Sequence, residues 1–257
     1  MLNMEVHHHP NVEKKGFREY FLEFIMIFLA VTLGFFAETF RETVAAHRLV
    51  REYAVSEIKD LQMDTAHLRQ YRDYYRYAAG NVDTLLQLLS AAEPGKVPTG
   101  KLYWYGLFGG AHGNFTPDDA TLQQIKSTGS LRYFNNEVAG AIAVYDLLCR
   151  NMANEQDVDG SLYGEVRRCR ARIFEFRYNE KANDVFQANR SGVSRTQIDS
   201  FINSHPPLLT DDKSLFNQYA EMVRSRFLRV HAQHLDTLLA TGTRLITLMQ
   251  KNYRLSE

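Results

Sequence analysis

Histidine is the side chain in this sequence most able to hold a metal, and it occurs in two groups. His7, His8 and His9 are consecutive near the N-terminus. Neighbours on a helix or strand point in different directions, so adjacency builds no ready-made metal site. They could share an ion only if the tail wrapped round it or several tails met in an oligomer. Protonation near about pH 6–7 would also draw such a tail toward anionic headgroups. His231 and His234 are three apart and share a helical face. That spacing can hold a metal when carboxylates arrive from a facing helix. Asp236 and Glu221 do not complete the set from the same face, and no Glu-x-x-His motif occurs within the helical part. The pair reads as a half-buried or surface one, and no metal or cofactor is expected.

The acids and bases read in a similar way. Asp60 and Asp64 share a helix face and lean toward salt bridges with a neighbouring helix, for example with Arg167, Arg168, Arg170 or Arg172. That arginine run spreads round its own helix. It reads as a solvated face, with an anion site as the alternative. Cys149 and Cys169 are twenty residues apart, so on one continuous helix they sit ~30 Å apart and cannot bond. There is no phosphate loop, no nucleophile elbow and no zinc-protease motif. Gly106–Gly110 is glycine-rich, but neither Lys-Ser/Thr nor a clear helix start follows it. The residue types and spacings point away from an enzyme.

One aromatic cluster could bind something. Pro94, Gly95, Pro98, Gly100, Gly106, Gly109, Gly110 and Gly113 punctuate residues 92–117, and Tyr103, Trp104, Tyr105, Phe108 and Phe115 are interleaved among them. Such a stretch reads as an irregular loop. It either caps the open end of a helical bundle or serves as a binding loop.

The elements that must position these residues begin with an apolar run. Phe21–Ala37 reads FLEFIMIFLAVTLGFFA, with Glu23 its only charge. Seventeen residues rise about 25 Å, and Tyr20 and Phe40 lengthen the span at its two interfaces. A core helix would show a polar stripe, which Phe24–Phe36 lacks. A cleaved leader would end in small residues at both positions a peptidase reads, which Gly34–Ala37 does not. The expectation is a tail over 1–19, a transmembrane helix over 20–40 and a helical domain over 41–257. Ala30, Gly34 and Ala37 put small residues on one face of the span, where a second helix could approach closely, and Glu23 lies near its edge. Lys14, Lys15 and Arg18 crowd the near side, against Arg41, Arg48 and Arg51 spread over the far side. Proximity of the positive charge puts the N-terminus in the cytoplasm and the domain outside it.

Beyond the span no proline occurs between Arg41 and Ser90, and Gly80 is the only glycine. Ala54, Ile58, Leu61, Thr65, Leu68, Arg72, Tyr75, Ala79, Val82, Leu86 and Leu89 step by four and three. That is a heptad seam in which Arg72 is the one violation. The pattern predicts a long stalk helix over 41–90 with a kink or break, Gly80 being one place for it. Thr116-Pro117-Asp118-Asp119 predicts the start of a short helix over 118–127. Further helices are expected from Asn135, running on to about Phe186, and from Asp211 to Tyr253. The fold class expected is all-α: a transmembrane helix continuing into a stalk and an elongated antiparallel bundle.

Lys plus Arg equals Asp plus Glu, 30 of each, so the chain lacks the basic balance that nucleic acid demands. Met4–Glu38, together with Glu52-Tyr53, Asp60-Leu61, Asp64-Thr65, Leu68, Asp119–Leu122, Lys126-Ser127 and Gly129–Arg132, resembles an uncharacterised family of single-span membrane proteins of the Bacteroidota. In that family a membrane helix feeds a helical domain of unknown function. The resemblance implies an inner-membrane anchor and suggests Met4 as an alternative start; it supplies no activity and no site residues. The functional expectation is a non-enzymatic, membrane-anchored helical domain that binds a partner or ligand, scaffolds or senses. Its partners would be the bilayer and other membrane proteins or copies of itself. The alternatives are a subunit of a larger membrane complex or a homo-oligomeric pore, and, further off, a metal-dependent enzyme using His231 and His234.

Overall fold

The computed structural model describes residues 16–90, 97–190, 195–229 and 232–255. Those residues form eight α-helices and a 3₁₀ turn; their only extended pairing is an isolated bridge between Phe174 and Leu208. The chain is all-α, as its periodicity predicts. It divides into two units, Met1–Glu52 and Tyr53–Glu257. The first helix, α1 (Phe17–Ser90), contributes to both.

In the first unit α1 is long and apolar enough to cross a membrane, and none of its most apolar 18-residue window is buried. Phe24, Ile27, Val31 and Phe35 are all more than half exposed. An apolar side chain left in water forgoes roughly 1.5–3 kcal/mol. Over a dozen residues that amounts to on the order of 20–30 kcal/mol, above the ~5–15 kcal/mol that holds a domain together. The run therefore calls for an apolar surrounding. Hydroxyls on this part of α1 bond to the helix's own backbone. Thr32 donates its hydroxyl to the Phe28 carbonyl at 2.7 Å, and Thr39 to that of Phe35 at 2.9 Å. Ion pairs from Arg41 to Glu38 and from Arg48 to Glu52 follow the apolar run.

In the second unit three helical columns carry the core. They are α1 from Tyr53 onward, α4 (Asn136–Arg170), and the succession of α7 (Lys213–Arg229) and α8 (Ala232–Tyr253). Tyr145 of α4 meets Asp64 of α1, and Cys169 lies beside Leu215 of α7. Asn135, which caps α4 through its side chain, donates its N–H to Tyr253 at the end of α8. The α7–α8 column thus runs antiparallel to the other two. Seam residues Ala54, Ile58, Leu61, Thr65, Leu68, Val82 and Leu89 are buried here. Gly242 of α8 packs so closely that a Cβ would lie 3.2 Å from Thr65 and 3.0 Å from the Tyr145 ring. Residues 53–90 are consequently a bundle helix and not a free stalk, with the seam consumed inside the chain. Arg72, the apparent violation, reaches Asp73 and Asp236 at the surface. The helix continues through Gly80, whose carbonyl accepts the Thr84 hydroxyl.

Two expectations change. α4 stops at Arg170 instead of running to Phe186, because Phe174 pairs with Leu208 and Leu209 donates its N–H to the Ile173 carbonyl. α5 (Phe176–Arg190) then starts afresh, and α6 (Arg195–Ile202) follows. The last expected helix is described on both sides of residues 230–231, as α7 and α8. The second change lies within 92–117, expected to be irregular: Thr99–Gly109 is a helix, α2. Its glycines serve close packing, since a Cβ on Gly100 would overlap the Phe201 carbonyl and one on Gly109 would meet the Tyr219 hydroxyl at 2.6 Å. Tyr103, Trp104 and Phe108 are almost fully buried against Val82, Leu85, Phe174 and Tyr219, so these aromatics sit on a docked helix and not in an irregular loop. Tyr105 is half-buried beside them.

Candidate functional site

Residues 110–119 link α2 to α3 (Ala120–Ser127) without regular structure, so their backbone groups need partners from elsewhere. The core supplies several. The Tyr71 hydroxyl donates to the Gly113 carbonyl at 2.6 Å. The Gln156 amide of α4 grips both backbone groups of Phe115, accepting its N–H and donating to its carbonyl. Asp64 accepts the Asp118 N–H at 2.7 Å and Asp60 that of Thr121 at 3.2 Å. The two aspartates of α1 therefore hold the first turn of α3, which begins at Ala120 and not at the expected 118. They do not pair with the arginines of α4.

His112 lies at the head of this link, beside a buried ion pair. Arg226 of α7 is 3 % exposed and meets both oxygens of Asp159 on α4, at 2.6 and 2.8 Å. Its third nitrogen donates to the Gly109 carbonyl at 3.2 Å, where the C-terminal turn of α2 directs partial negative charge. His112 Nδ1 lies 2.9 Å from Asp159, and its ring stacks on Tyr163 at 5.0 Å. Nearby, burial raises the Tyr71 hydroxyl pKa to about 12 and pushes that of Tyr75 up as well. Both stay neutral donors.

Beside that pair opens a cleft of about 530 Å³ between α1, the end of α2, α4 and α5. Tyr74, Phe108, Tyr163 and Phe186 contribute aromatic surface, and Arg167 and Arg170 contribute the cations. Arg170 gives one nitrogen to the Asn179 side-chain oxygen, while its Nε is buried with no hydrogen-bond partner. Burial lowers its pKa from the ordinary arginine value, yet a guanidinium keeps its charge in a protein. Arg167 lies over the Tyr163 ring at 5.5 Å. Among the described residues neither guanidinium forms an ion pair with a carboxylate. Arg168, by contrast, is exposed and paired with Glu165. Arg167, Arg168 and Arg172 are exposed, as a solvated face would have them, whereas Arg170 is not.

A second, smaller hollow of about 230 Å³ is acidic. Glu57 lines it at 3 % exposure, with one carboxylate oxygen lacking a partner. Asp64, Asp118, Asp119 and Asp146 line it too, and Asp146 pairs with Lys126 and Arg150. Burial, then the charges of Asp60, Asp64, Asp119 and Asp146, raise the Glu57 pKa to about 8. Asp64 is also raised, chiefly by burial, while accepting the Tyr145 hydroxyl at 2.8 Å.

The remaining sequence candidates fall apart from these sites. Ala30, Gly34 and Ala37 are exposed on α1, and nothing lies within 4 Å of a Cβ built on Gly34. Glu23 is half-buried on the same helix. His7, His8, His9 and His231 lie outside the described residues. His234 is exposed on α8, beside a hollow shared with Asn151 and Glu155 of α4. Among the described residues no three His, Cys, Asp or Glu side chains are grouped to hold a metal. Cys149 and Cys169 are both buried, free and on α4, with the Cys149 thiol pushed up to about 12, mainly by burial. The chain matches no family model, no curated protein and no solved structure.

Proposed function

We propose that the protein is a non-enzymatic ligand-binding domain held at a bacterial inner membrane by one helix. In this reading residues 20–40 cross the bilayer, the N-terminus stays in the cytoplasm and the bundle lies on the periplasmic side. The observation that carries it is the apolar run on α1, none of whose most apolar window is buried, in the same chain as a domain that buries its own apolar seam. A domain that has satisfied its core has no use for such a run except in lipid. The charge flanks, Lys14, Lys15 and Arg18 against more dispersed arginines, support the orientation. Protease added to intact spheroplasts of a diderm host tests it. Digestion of the domain from outside is expected; protection until the inner membrane is broken would reverse the orientation.

Self-association is part of the proposal, and one observation restricts its route. The seam over 54–89 is covered within the chain, whereas the Ala30, Gly34 and Ala37 face is open. Copies would therefore meet through the membrane helix, as small-residue faces allow. The same face would serve a neighbouring subunit if the protein belongs to a larger membrane complex.

A further inference from the structure

We infer that the cleft between α4 and α5 is a binding site for a small organic anion that joins a carboxylate or phosphate to a planar ring. The inference rests on the ligand-binding reading above and gives that ligand its chemistry.

Charge comes first. Arg170 and Arg167 both line the cleft, and neither forms an ion pair with a carboxylate among the described residues. Arg170 is anchored through Asn179 and lies over Phe174 at 5.7 Å, so its guanidinium is held in place. Its buried Nε–H has no acceptor. A buried donor without a partner costs ~1–3 kcal/mol, and an entering anion oxygen would supply the acceptor. Planar guanidinium groups suit carboxylate and phosphate oxygens, which accept two parallel N–H bonds. The nearby cation Arg226 is already neutralised by Asp159, so it does not compete. Glu180 is the acid that lines the cleft, and its side chain is exposed at the edge.

Shape and surface come second. A volume of about 530 Å³ lies within the ~300–1,000 Å³ range of small-molecule sites. Tyr74, Tyr163 and Phe186 offer ring surface, backed by the buried Phe108, which favours a flat body over a bare ion. Asn183 and Gln187 add polar side chains to the lining. Free inorganic phosphate would use the arginines but leave the aromatic walls unused.

The chain carries its own reporter. Trp104 is its single tryptophan, and its ring centroid lies 6.1 Å from that of Phe186 and 6.4 Å from that of Phe108, both lining residues. The full chain in nanodiscs would be titrated with phenyl phosphate, benzoate, benzyl alcohol and inorganic phosphate, following tryptophan fluorescence and heat. Phenyl phosphate or benzoate is expected to saturate the protein, at least tenfold more tightly than benzyl alcohol or inorganic phosphate. The tighter of the two names the acidic group. Arg170→Met should weaken binding tenfold or more and Arg167→Gln severalfold, whereas Arg168→Gln should change nothing. Arg167 is exposed, so its variant keeps the test valid should Arg170→Met fail to fold. Equal binding of benzyl alcohol, no saturable binding of either ring anion, or unchanged affinity in Arg167→Gln and Arg170→Met would overturn the inference. Recovery of the chain in the membrane fraction is scored separately. An empty cleft on a membrane-bound protein defeats the ligand assignment alone, and a soluble chain defeats the anchor alone.

Discussion

Arg226 and Asp159 form a fully buried ion pair with hydrogen bonds on every side, and its removal should be felt. Taking away one partner leaves a charge in low dielectric, which costs ~3–5 kcal/mol. Asp159→Asn should therefore lower the urea midpoint sharply, while a paired Asp159→Leu, Arg226→Met variant should regain much of the loss; a single variant as stable as wild type would contradict the account. Glu57 gives a pH signature instead. Its pKa is about 8 in the folded chain against an ordinary 4.5, so the folded state holds a proton that the unfolded state releases. The resulting stability is full below pH 4.5 and declines up to about pH 8, at about 1.4 kcal/mol per unit. Glu57→Gln should flatten that decline and be the more stable form at pH 8, as thermal unfolding across the range would show. Parallel pH curves for the two proteins would refute it. These residues were partly legible. Leu215, Tyr219, Met222 and Arg226 step by four and three, as do Cys149, Met152, Gln156 and Asp159, so a polar residue sits where the apolar stride expects a core position. Pairing Arg226 with Asp159, across 67 residues, needs the fold.

The helices themselves were easier to read than their ends. Periodicity gave α1, α4 and the α7–α8 column, since a long amphipathic stride has few other outcomes. It misplaced the end of α4, where tertiary pairing of Phe174 with Leu208 overrides a sequence that could continue as helix. Glycine misled the reading of α2. Gly100, Gly106 and Gly109 look like breakers, but they let a helix approach the Phe201 carbonyl, Phe174 and Tyr219 closely, with no room for a Cβ at Gly100 and Gly109. Gly100→Val should accordingly unseat α2 and lower the melting temperature by several degrees, the scale of a 1–3 kcal/mol overpacking loss. A melting curve unchanged from wild type would show that α2 is not docked there. Gly129, at φ 65°, is the glycine whose backbone sign matters: it ends α3 in the left-handed region before the 3₁₀ turn Ser130–Tyr133.

At the scale of the whole molecule, the balanced charge and the apolar run bounded the account from the start. They indicated one segment suited to lipid and a chain with no net basic excess. The cleft was not readable, because Arg167 and Arg170 belong to a run of four arginines that a helical wheel scatters. Only the packing of α5 against the end of α4 distinguishes Arg170 from the exposed Arg168. Alkaline carbonate extraction of membranes from a host expressing the full chain tests the central claim most directly. The chain should stay in the pellet at pH 11 and come out only with detergent, and Ile27→Arg with Val31→Arg should move it to the supernatant. Release of the wild-type chain by carbonate alone would contradict the account.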